Sequence, residues 1–383
     1  MRCWLVTATF IVACVLISAS AADAQLPLYD ITDLGTLGGA YSYAYGINDF
    51  GQVVGYSKTS AGLQHAFLWD PASGIHDLGT LGGSFTHAWD INNAGQVVGD
   101  GNTSGGPIHA FVWDPTKATP MQDLGTLGGT SSWAYAINDS GQVVGRSYTS
   151  GSEIHAFLWD ETKPIPMQDL GSLGGTSSEA WGINQCGQVV GHSTTSAGTT
   201  HAFRWDETKP IAMQDLGTLG GAESRARGIN ESGQVVGYSG TSGGLELPHA
   251  FLWDESEPIP MQDLGTPGTP SSAAYAVNDS GQVVGSSAFL YDGTTMYKLS
   301  DFLAPSSSGW SLSIAFGINS ADATPCGAQI VGYGINPDGQ TRAFLATPTP
   351  EPCTLALLGA SLCGAGVVRR LRRRGNGRPQ GAS

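Results

Sequence analysis

Basic side chains are scarce in the main part of this chain, which carries 17 Lys and Arg against 32 Asp and Glu over 383 residues. Seven arginines lie near the two ends, so residues 25–347 hold about ten basic and about thirty acidic side chains. A net charge near −20 in this body repels nucleic-acid phosphates. It also repels anionic polysaccharide unless divalent cations bridge the two. We therefore expect no nucleic-acid partner and a protein kept soluble by self-repulsion.

Cysteine is also scarce in the body. Four of the six cysteines lie near the two ends, and Cys186 and Cys326 fall between them. Both occur at the turn of a repeated hairpin, in the fourth and seventh repeats described below. Two such turns are too far apart in a ring for a disulfide, whose Cα atoms lie within about 7 Å of each other. The sequence predicts no disulfide, so packing must hold the fold together.

Helical and catalytic signatures are missing as well. No segment of the body keeps a helical apolar period over three turns, and the 55 glycines disfavour helices further. The sequence shows no acid pair at fixed spacing and no G-K-[ST] phosphate loop. We predict an all-β protein that is not an enzyme, with no catalytic, cofactor-binding or metal-binding residues.

One repeated unit makes up the body of the chain. The phrase D-L-G-[TS]-L-G-G recurs with a period of 44 to 48 residues, in decayed form at its last site, from Asp33, Asp77, Asp123, Asp169, Asp215 and Asp263. Two further phrases, I-N-x-x-G-Q-V-V-G and H-A-F-L-W-D, recur between these starts. A fixed period in this range indicates a repeat architecture.

Each repeat divides into four short strands. In residues 121–160 these are M-Q-D-L-G, A-Y-A-I-N, Q-V-V-G-R-S and A-F-L-W, each bounded by turn-forming residues. The turn Asp139-Ser140-Gly141 tolerates positive φ and joins the second strand to the third. Four strands in about 40–50 residues is typical of a β-propeller blade, which buries its apolar faces against its neighbours.

The number of phrases predicts seven blades. The A-F-L strand occurs seven times, and Met296–Ser300 supplies the strand of the repeat in which D-L-G is absent. We expect the opening strand, Tyr29–Leu34, to complete the sheet that contains the final strand, Ala343–Ala346. The alternatives are a β-solenoid, or a ring of six or eight blades, since the last repeat is irregular.

Recurrent histidines are the first candidates for chemistry. One precedes each regular A-F strand, at His65, His109, His155, His201 and His249. Metal ligands must converge within about 2.1 Å of one ion, and these side chains lie on different blades. We interpret each as a strand-entry His bonded to a neighbouring loop. His76, His87 and His192 recur nowhere and carry less weight.

Turn acids and tryptophans are the other candidates. Asn48-Asp49, Asn138-Asp139 and Asn278-Asp279 could ligate calcium, but no EF-hand-type loop occurs, and Asx side chains that bond their own backbone explain the pattern. Tryptophan recurs at one place, predicted as core between blades, in Trp69, Trp113, Trp159, Trp205 and Trp253. Trp89, Trp133 and Trp181 recur elsewhere and could stack on sugars, although core packing is favoured.

The N-terminus reads as an export signal. Arg2 is followed by the apolar run Cys3–Ile17 and then by small residues. This pattern predicts a secretory signal peptide over residues 1–24, cleaved between Ala24 and Gln25. Lipid attachment at Cys14 is the alternative.

The C-terminus carries a three-part pattern over residues 348–374. Pro350-Glu351-Pro352 precedes the uncharged run Cys353–Val368, and five arginines follow. The run predicts a transmembrane helix with the arginines in the cytoplasm. The pattern resembles the PEP-CTERM sorting signal of Gram-negative bacteria, which implies cleavage at the tripeptide by exosortase. Residues 375–383 would form a disordered tail.

The His-Ala-Phe of each unit, as at His65-Ala66-Phe67, resembles the extracellular HAF-repeat proteins over residues 27–346. The resemblance implies export but brings no established activity. We expect a cell-surface protein, processed by signal peptidase and exosortase. It would be a non-enzymatic binding or structural module of the envelope or biofilm matrix, with exopolysaccharide or surface proteins as partners. The alternative is a propeller enzyme, a lyase or hydrolase, acting on polysaccharide.

Overall fold

The computed structural model describes residues 26–242, 247–324 and 326–350. Within these ranges the chain is all-β, as predicted, with 28 strands and two short 3₁₀ helices, Leu299–Phe302 and Pro305–Ser307. The predicted signal peptide with its cleavage site at Ala24 and Gln25, the tripeptide from Glu351 onward and the predicted membrane helix lie outside the described residues. In the part described, no helix is both long and apolar enough to cross a membrane.

The described strands form seven antiparallel four-strand units rather than one sheet closed on itself. The first strands are β2 Gly38–Ile47, β6 Gly82–Ile91, β10 Gly128–Ile137, β14 Gly174–Ile183, β18 Gly220–Ile229, β22 Ala274–Val277 and β26 Ser311–Ile318. The second strands are β3 Val53–Thr59, β7 Val97–Thr103, β11 Val143–Thr149, β15 Val189–Thr195, β19 Val235–Thr241, β23 Val283–Gly285 and β27 Ile330–Ile335. The third strands are β4 Gln64–Asp70, β8 Ile108–Trp113, β12 Ile154–Trp159, β16 Thr200–Trp205, β20 Pro248–Trp253, β24 Phe289–Tyr291 and β28 Thr341–Pro348. The fourth strands are β5 Gly74–Asp77, β9 Met121–Asp123, β13 Met167–Asp169, β17 Met213–Asp215, β21 Met261–Gly265, β25 Met296–Lys298 and β1 Tyr29–Asp33.

The seventh unit takes its strands from both ends of the described chain. β1 pairs antiparallel with β28, with Tyr29 opposite Pro348 and Asp33 opposite Phe344. The predicted pairing of the opening strand with the final one is therefore confirmed. β28 nevertheless runs past the predicted strand end at Ala346, because β1 offers it partners as far as Tyr29. The Thr349 N–H then donates to the carbonyl oxygen of Leu28 at 2.7 Å.

Both faces of each unit are covered by neighbouring units. Ala156 and Phe157 are consecutive in β12, so their side chains point to opposite faces, yet both are fully buried. Val143 and Val144 of β11 show the same pattern. This burial explains why the strands read as continuous apolar runs rather than as alternating ones.

Unit seven packs on unit one in the same way as consecutive units pack on each other. Val331, Ala343 and Leu345 of the seventh unit share one core cluster with Val53 and Phe67 of the first. The phenylalanine of the A-F strand is fully buried in all seven units, at Phe67, Phe111, Phe157, Phe203, Phe251, Phe289 and Phe344. These residues make the core a set of interfaces between units.

The glycine that ends Q-V-V-G is required by a close backbone approach. In β11, a Cβ atom on Gly145 would lie 1.9 Å from the carbonyl oxygen of Trp133 in β10. The pairing of these two strands shifts register between Ala134 and Ala136, which is a bulge. The bulge brings β10 close enough to exclude any larger residue from that position.

Asparagine side chains link each unit to the next. Asn48 Nδ2 donates to the carbonyl oxygen of Asn92 at 3.1 Å, and Asn92 donates to that of Asn138 at 3.0 Å. The same bond recurs through the later units, and Asn319 of unit seven donates to the carbonyl oxygen of Asn48 at 3.2 Å. The series therefore returns to its first member.

Candidate binding site in the central cavity

The first strands of all seven units line a central cavity of about 420 Å³. Two residues before the Ile of each I-N phrase, or the Val of the sixth unit, a side chain from every unit faces this cavity. We call this ring the collar: Tyr45, Trp89, Tyr135, Trp181, Arg227, Tyr275 and Phe316. Six of its members are aromatic and one is a guanidinium.

The collar is organised by ring contacts between neighbouring units. The Tyr45 and Trp89 ring centroids lie 4.5 Å apart, and those of Phe316 and Tyr45 lie 4.6 Å apart across the junction of units seven and one. Tyr135 stacks on Trp181 at 3.9 Å with an interplanar angle of 3°. These contacts place each of the rings against a ring of a neighbouring unit.

Arg227 interrupts the aromatic series in unit five. Its Cζ atom lies 3.8 Å from the centroid of the Trp181 ring, a distance suited to a cation–π contact. Its Nη2 donates to the Tyr238 hydroxyl at 3.4 Å. The Nε of Arg227 and the indole Nε1 of Trp181 are buried and have no hydrogen-bond partner in the described protein.

Two further arginines lie beside the collar. Arg146 donates to the Glu179 carboxylate at 2.7 Å and lies 4.4 Å from the Trp133 ring centroid. Arg225 pairs with Glu223 at 3.3 Å. His192 is 92% buried nearby, and its pKa falls to about 3 because burial disfavours the charged ring and the positive charges of Arg225, Arg227 and Arg146 oppose it. Its imidazole is therefore neutral.

A smaller cavity of about 150 Å³ adjoins this region in unit five, lined by Arg225, Tyr238, Pro248 and their neighbours. Tyr238 belongs to its wall and also contacts Arg227 of the collar. Tyr238 thus lies between the smaller cavity and the collar arginine.

Asp90 lies in the cavity wall below the collar, where the other units have Gly or Ala. Its carboxylate accepts the backbone N–H groups of Ile91 at 2.9 Å and Ile137 at 3.1 Å. The pKa of Asp90 is raised to about 7, first by burial and also by the Asp139 charge, against the lowering effect of those two bonds. Asp90 is the feature of the wall that most resembles a general acid.

The opposite end of the cavity is polar, and hydrogen bonds between units run around its rim. The residue after each I-N or V-N phrase lies on its rim: Asp49, Asn93, Asp139, Gln185, Glu231, Asp279 and Ser320. Most of these side chains accept the backbone N–H of the preceding unit, as Asp139 does from Asn93 at 2.8 Å. Their oxygens are thus used in joining the units. Among the described residues, no group of three or more His, Cys, Asp or Glu is arranged to hold a metal ion.

The recurrent histidines do not converge. Each pairs with the aspartate of the D-L-G phrase in its own unit, at distances between Nδ1 and the carboxylate of 2.7 to 2.9 Å: His65–Asp77, His109–Asp123, His155–Asp169, His201–Asp215 and His249–Asp263. Each histidine is therefore bonded, as predicted, but the predicted partner is wrong, since it is the edge strand of the same unit rather than a neighbouring loop.

The turn asparagines act partly as predicted. Asn48 Oδ1 accepts the backbone N–H groups of Phe50 and Gln52, which is the expected Asx turn. The reach of its Nδ2 to the next unit was not predicted. Cys186 and Cys326 are unpaired in the described structure, in units four and seven.

The two tryptophan series have different locations. Trp159, Trp205 and Trp253 are buried between units, as predicted. The preference for core packing at Trp89 and Trp181 is wrong, because both line the cavity and are half-buried. Trp133 stands two residues earlier in its unit than these two, beside Arg146. The sequence offered no clue that separates these positions from the core, because neighbouring positions such as Tyr43, His87 and Trp133 vary among repeats as well.

No protein-family model and no curated protein matches the chain. Solved structures resemble it in fold at low identity. The β-propeller domain of the trilobed protease of Pyrococcus furiosus, with an open velcro topology, aligns with 81% of this chain and 98% of its own, at 9% identity and a TM-score of 0.49. A gluconolactonase of Xanthomonas campestris aligns with 85% of this chain and 97% of its own, at 12% identity and a TM-score of 0.37. A six-bladed fucose-recognising lectin of Aleuria aurantia aligns over the same shares, at 12% identity and a TM-score of 0.35.

Proposed function

We propose that the protein is an exported, non-enzymatic surface protein that binds carbohydrate at the collar of a closed seven-bladed β-propeller. The seven four-strand units would be its blades. The asparagine series that returns from Asn319 to Asn48 supports closure. So does the hydrogen bond from the Ala343 N–H to the Ser42 hydroxyl, which repeats a bond found between consecutive units.

The observation that carries the binding proposal is the collar itself. Tyr and Trp rings present an apolar face and a polar tip, and a sugar presents C–H faces with hydroxyl groups around them. A cavity of about 420 Å³ lies within the usual range of small-molecule sites. The exposure of these aromatic side chains to a cavity, together with the one guanidinium among them, favours recognition over packing.

A glycan array probed with the purified protein tests this function. We expect binding to a limited set of oligosaccharides, and Trp89→Ala should weaken it about tenfold, because an aromatic contact in a desolvated site is worth more than about 1 kcal/mol. Phe50→Ala is the matched control, since Phe50 is 68% exposed in a turn outside the collar. The proposal fails if no glycan binds, or if both variants bind like the parent protein.

Asp90 supports a second candidate, a polysaccharide-acting enzyme. A carboxyl with a pKa near 7 in a cavity wall suits general acid catalysis. Turnover of a bound glycan, measured as new reducing ends and abolished by Asp90→Asn, would establish that the protein is an enzyme.

Export and surface sorting rest on the two terminal patterns. Mass spectrometry of the mature protein should give an N-terminus at Gln25 and a C-terminus close to Pro350. An N-terminus at a lipidated Cys14, or an intact C-terminal segment, would contradict this part of the proposal.

A further inference from the structure

Arginine is unevenly distributed in the described protein. Five arginines occur between residues 26 and 350, and Arg146, Arg225 and Arg227 lie together at or beside the collar. The average charge of the body predicts repulsion of anionic ligands. However, charges are screened over about 8 Å at physiological ionic strength, so the groups that line the cavity decide what it binds.

Four of these five arginines have a carboxylate partner within 4.0 Å: Arg146 with Glu179, Arg204 with Glu255, Arg225 with Glu223 and Arg342 with Asp33. No such pair occurs for Arg227 among the described residues. Its guanidinium lies against Trp181 and bonds the Tyr238 hydroxyl alone. A partly buried cation without an anion is costly unless a ligand supplies one.

Other side-chain nitrogens around the collar also lack a partner. Among the described residues, the buried side-chain N and O atoms without a partner are His87 Nε2, Arg146 Nε, Trp181 Nε1, His192 Nδ1 and Arg227 Nε. All five belong to first and second strands of units two to five, around one side of the collar. Two of them belong to Trp181 and Arg227, whose side chains are stacked on each other.

The neighbouring carboxylates already have partners. Glu179 accepts from Arg146, Glu223 pairs with Arg225, and Asp100 accepts from the indole N–H of Trp89 and faces His87. The Asp90 carboxylate accepts hydrogen bonds from two backbone N–H groups. Arg227 is therefore the charge in this region that remains to be balanced.

We propose that the carbohydrate bound at the collar is an acidic one, a uronic-acid oligosaccharide whose carboxylate is held by the Arg227 guanidinium while its ring packs on the aromatic side chains. This inference rests on the proposed function and specifies its ligand.

The test uses matched pairs of ligands. Protein purified after expression of the full chain is titrated, at 0.15 M ionic strength, with galacturonate, glucuronate and mannuronate oligosaccharides and with the carboxyl-reduced form of each. We expect at least one acidic oligosaccharide to bind at least about tenfold more tightly than its reduced form, because its carboxylate forms charge-assisted hydrogen bonds that the reduced sugar cannot form. Arg227→Gln should remove that preference while retaining the weaker binding of the reduced form.

Two variants control for structure. Arg204→Gln removes a guanidinium that also stacks on a tryptophan, Trp253 at 4.8 Å, but lies outside the collar, and it should leave the preference unchanged. Arg227→Lys keeps the charge without the planar fork and should keep part of the preference. Equal or tighter binding of the reduced sugars, or an unchanged preference in Arg227→Gln, overturns the acidic ligand and leaves the proposed function standing. Absence of binding to every glycan overturns both.

Discussion

The substitution Asp90→Asn should destabilise the folded protein at acid pH and stabilise it at alkaline pH. The pKa of Asp90 is about 7 in the folded protein, against an ordinary value of 3.8. A carboxyl whose pKa is raised by folding contributes its full stability only at pH values below its pKa in the unfolded chain. That contribution is lost as the pH rises through its pKa in the folded protein. The window for this variant therefore runs from about pH 4 to about pH 7.

The size of the effect follows from the shift. Each pKa unit corresponds to about 1.4 kcal/mol, so ionising Asp90 costs at most about 4 kcal/mol, and water in the cavity reduces this. Asn cannot accept both backbone N–H groups, so it loses one bond, about 1 kcal/mol, at every pH. We expect the variant to be less stable than the parent at pH 4 and more stable at pH 8, by up to about 3 kcal/mol.

Urea unfolding at pH values between 4 and 8, with the midpoint and slope compared for both proteins, measures this difference. Asp160→Asn serves as a control of opposite sign, because the Thr162 hydroxyl and neighbouring donors lower the pKa of Asp160. That variant should lose stability near pH 7 and lose less of it as pH falls below about 4. A difference for Asp90→Asn that stays constant with pH would refute the assignment of Asp90 to a desolvating wall.

Two further predictions concern the core and the junction of units seven and one. Phe157→Ala removes a fully buried ring and should lower the free energy of unfolding in urea by about 3–5 kcal/mol. Ile165→Ala, at a position 78% exposed, should lower it by less than about 0.5 kcal/mol. Equal effects of the two variants would contradict the packing between units. Asn319→Ala should destabilise the protein by about 2 kcal/mol, as much as Asn92→Ala does, because both asparagines donate to the next unit at 3.0 to 3.2 Å. A much smaller effect of Asn319→Ala would mean that the junction between units seven and one is open in solution.

The features of the fold that recur in every repeat could be predicted from the sequence. Period, turn residues and apolar runs placed the four strands of each unit, including the irregular strand at Met296. The incomplete repeats at the two ends predicted the pairing of β1 with β28. These features are local or recur at fixed spacing, so they can be deduced without coordinates.

The candidate site was less accessible to the same reasoning. Arg146, Arg225 and Arg227 lie up to about eighty residues apart in the sequence, and their proximity depends on which strand of each unit faces the cavity. Trp89 and Trp181 looked like core because they recur, but recurrence alone does not distinguish a radial interface from a cavity lining. The average charge of the body concealed a local arginine without an acidic partner.

The most direct measurement is a crystal structure of the protein with a bound acidic oligosaccharide selected by the titrations. The account predicts a sugar ring packed on the collar with its carboxylate within hydrogen-bond distance of the Arg227 guanidinium. A sugar bound between the outer strands of neighbouring units, or one whose carboxylate points away from Arg227 into solvent, would contradict it.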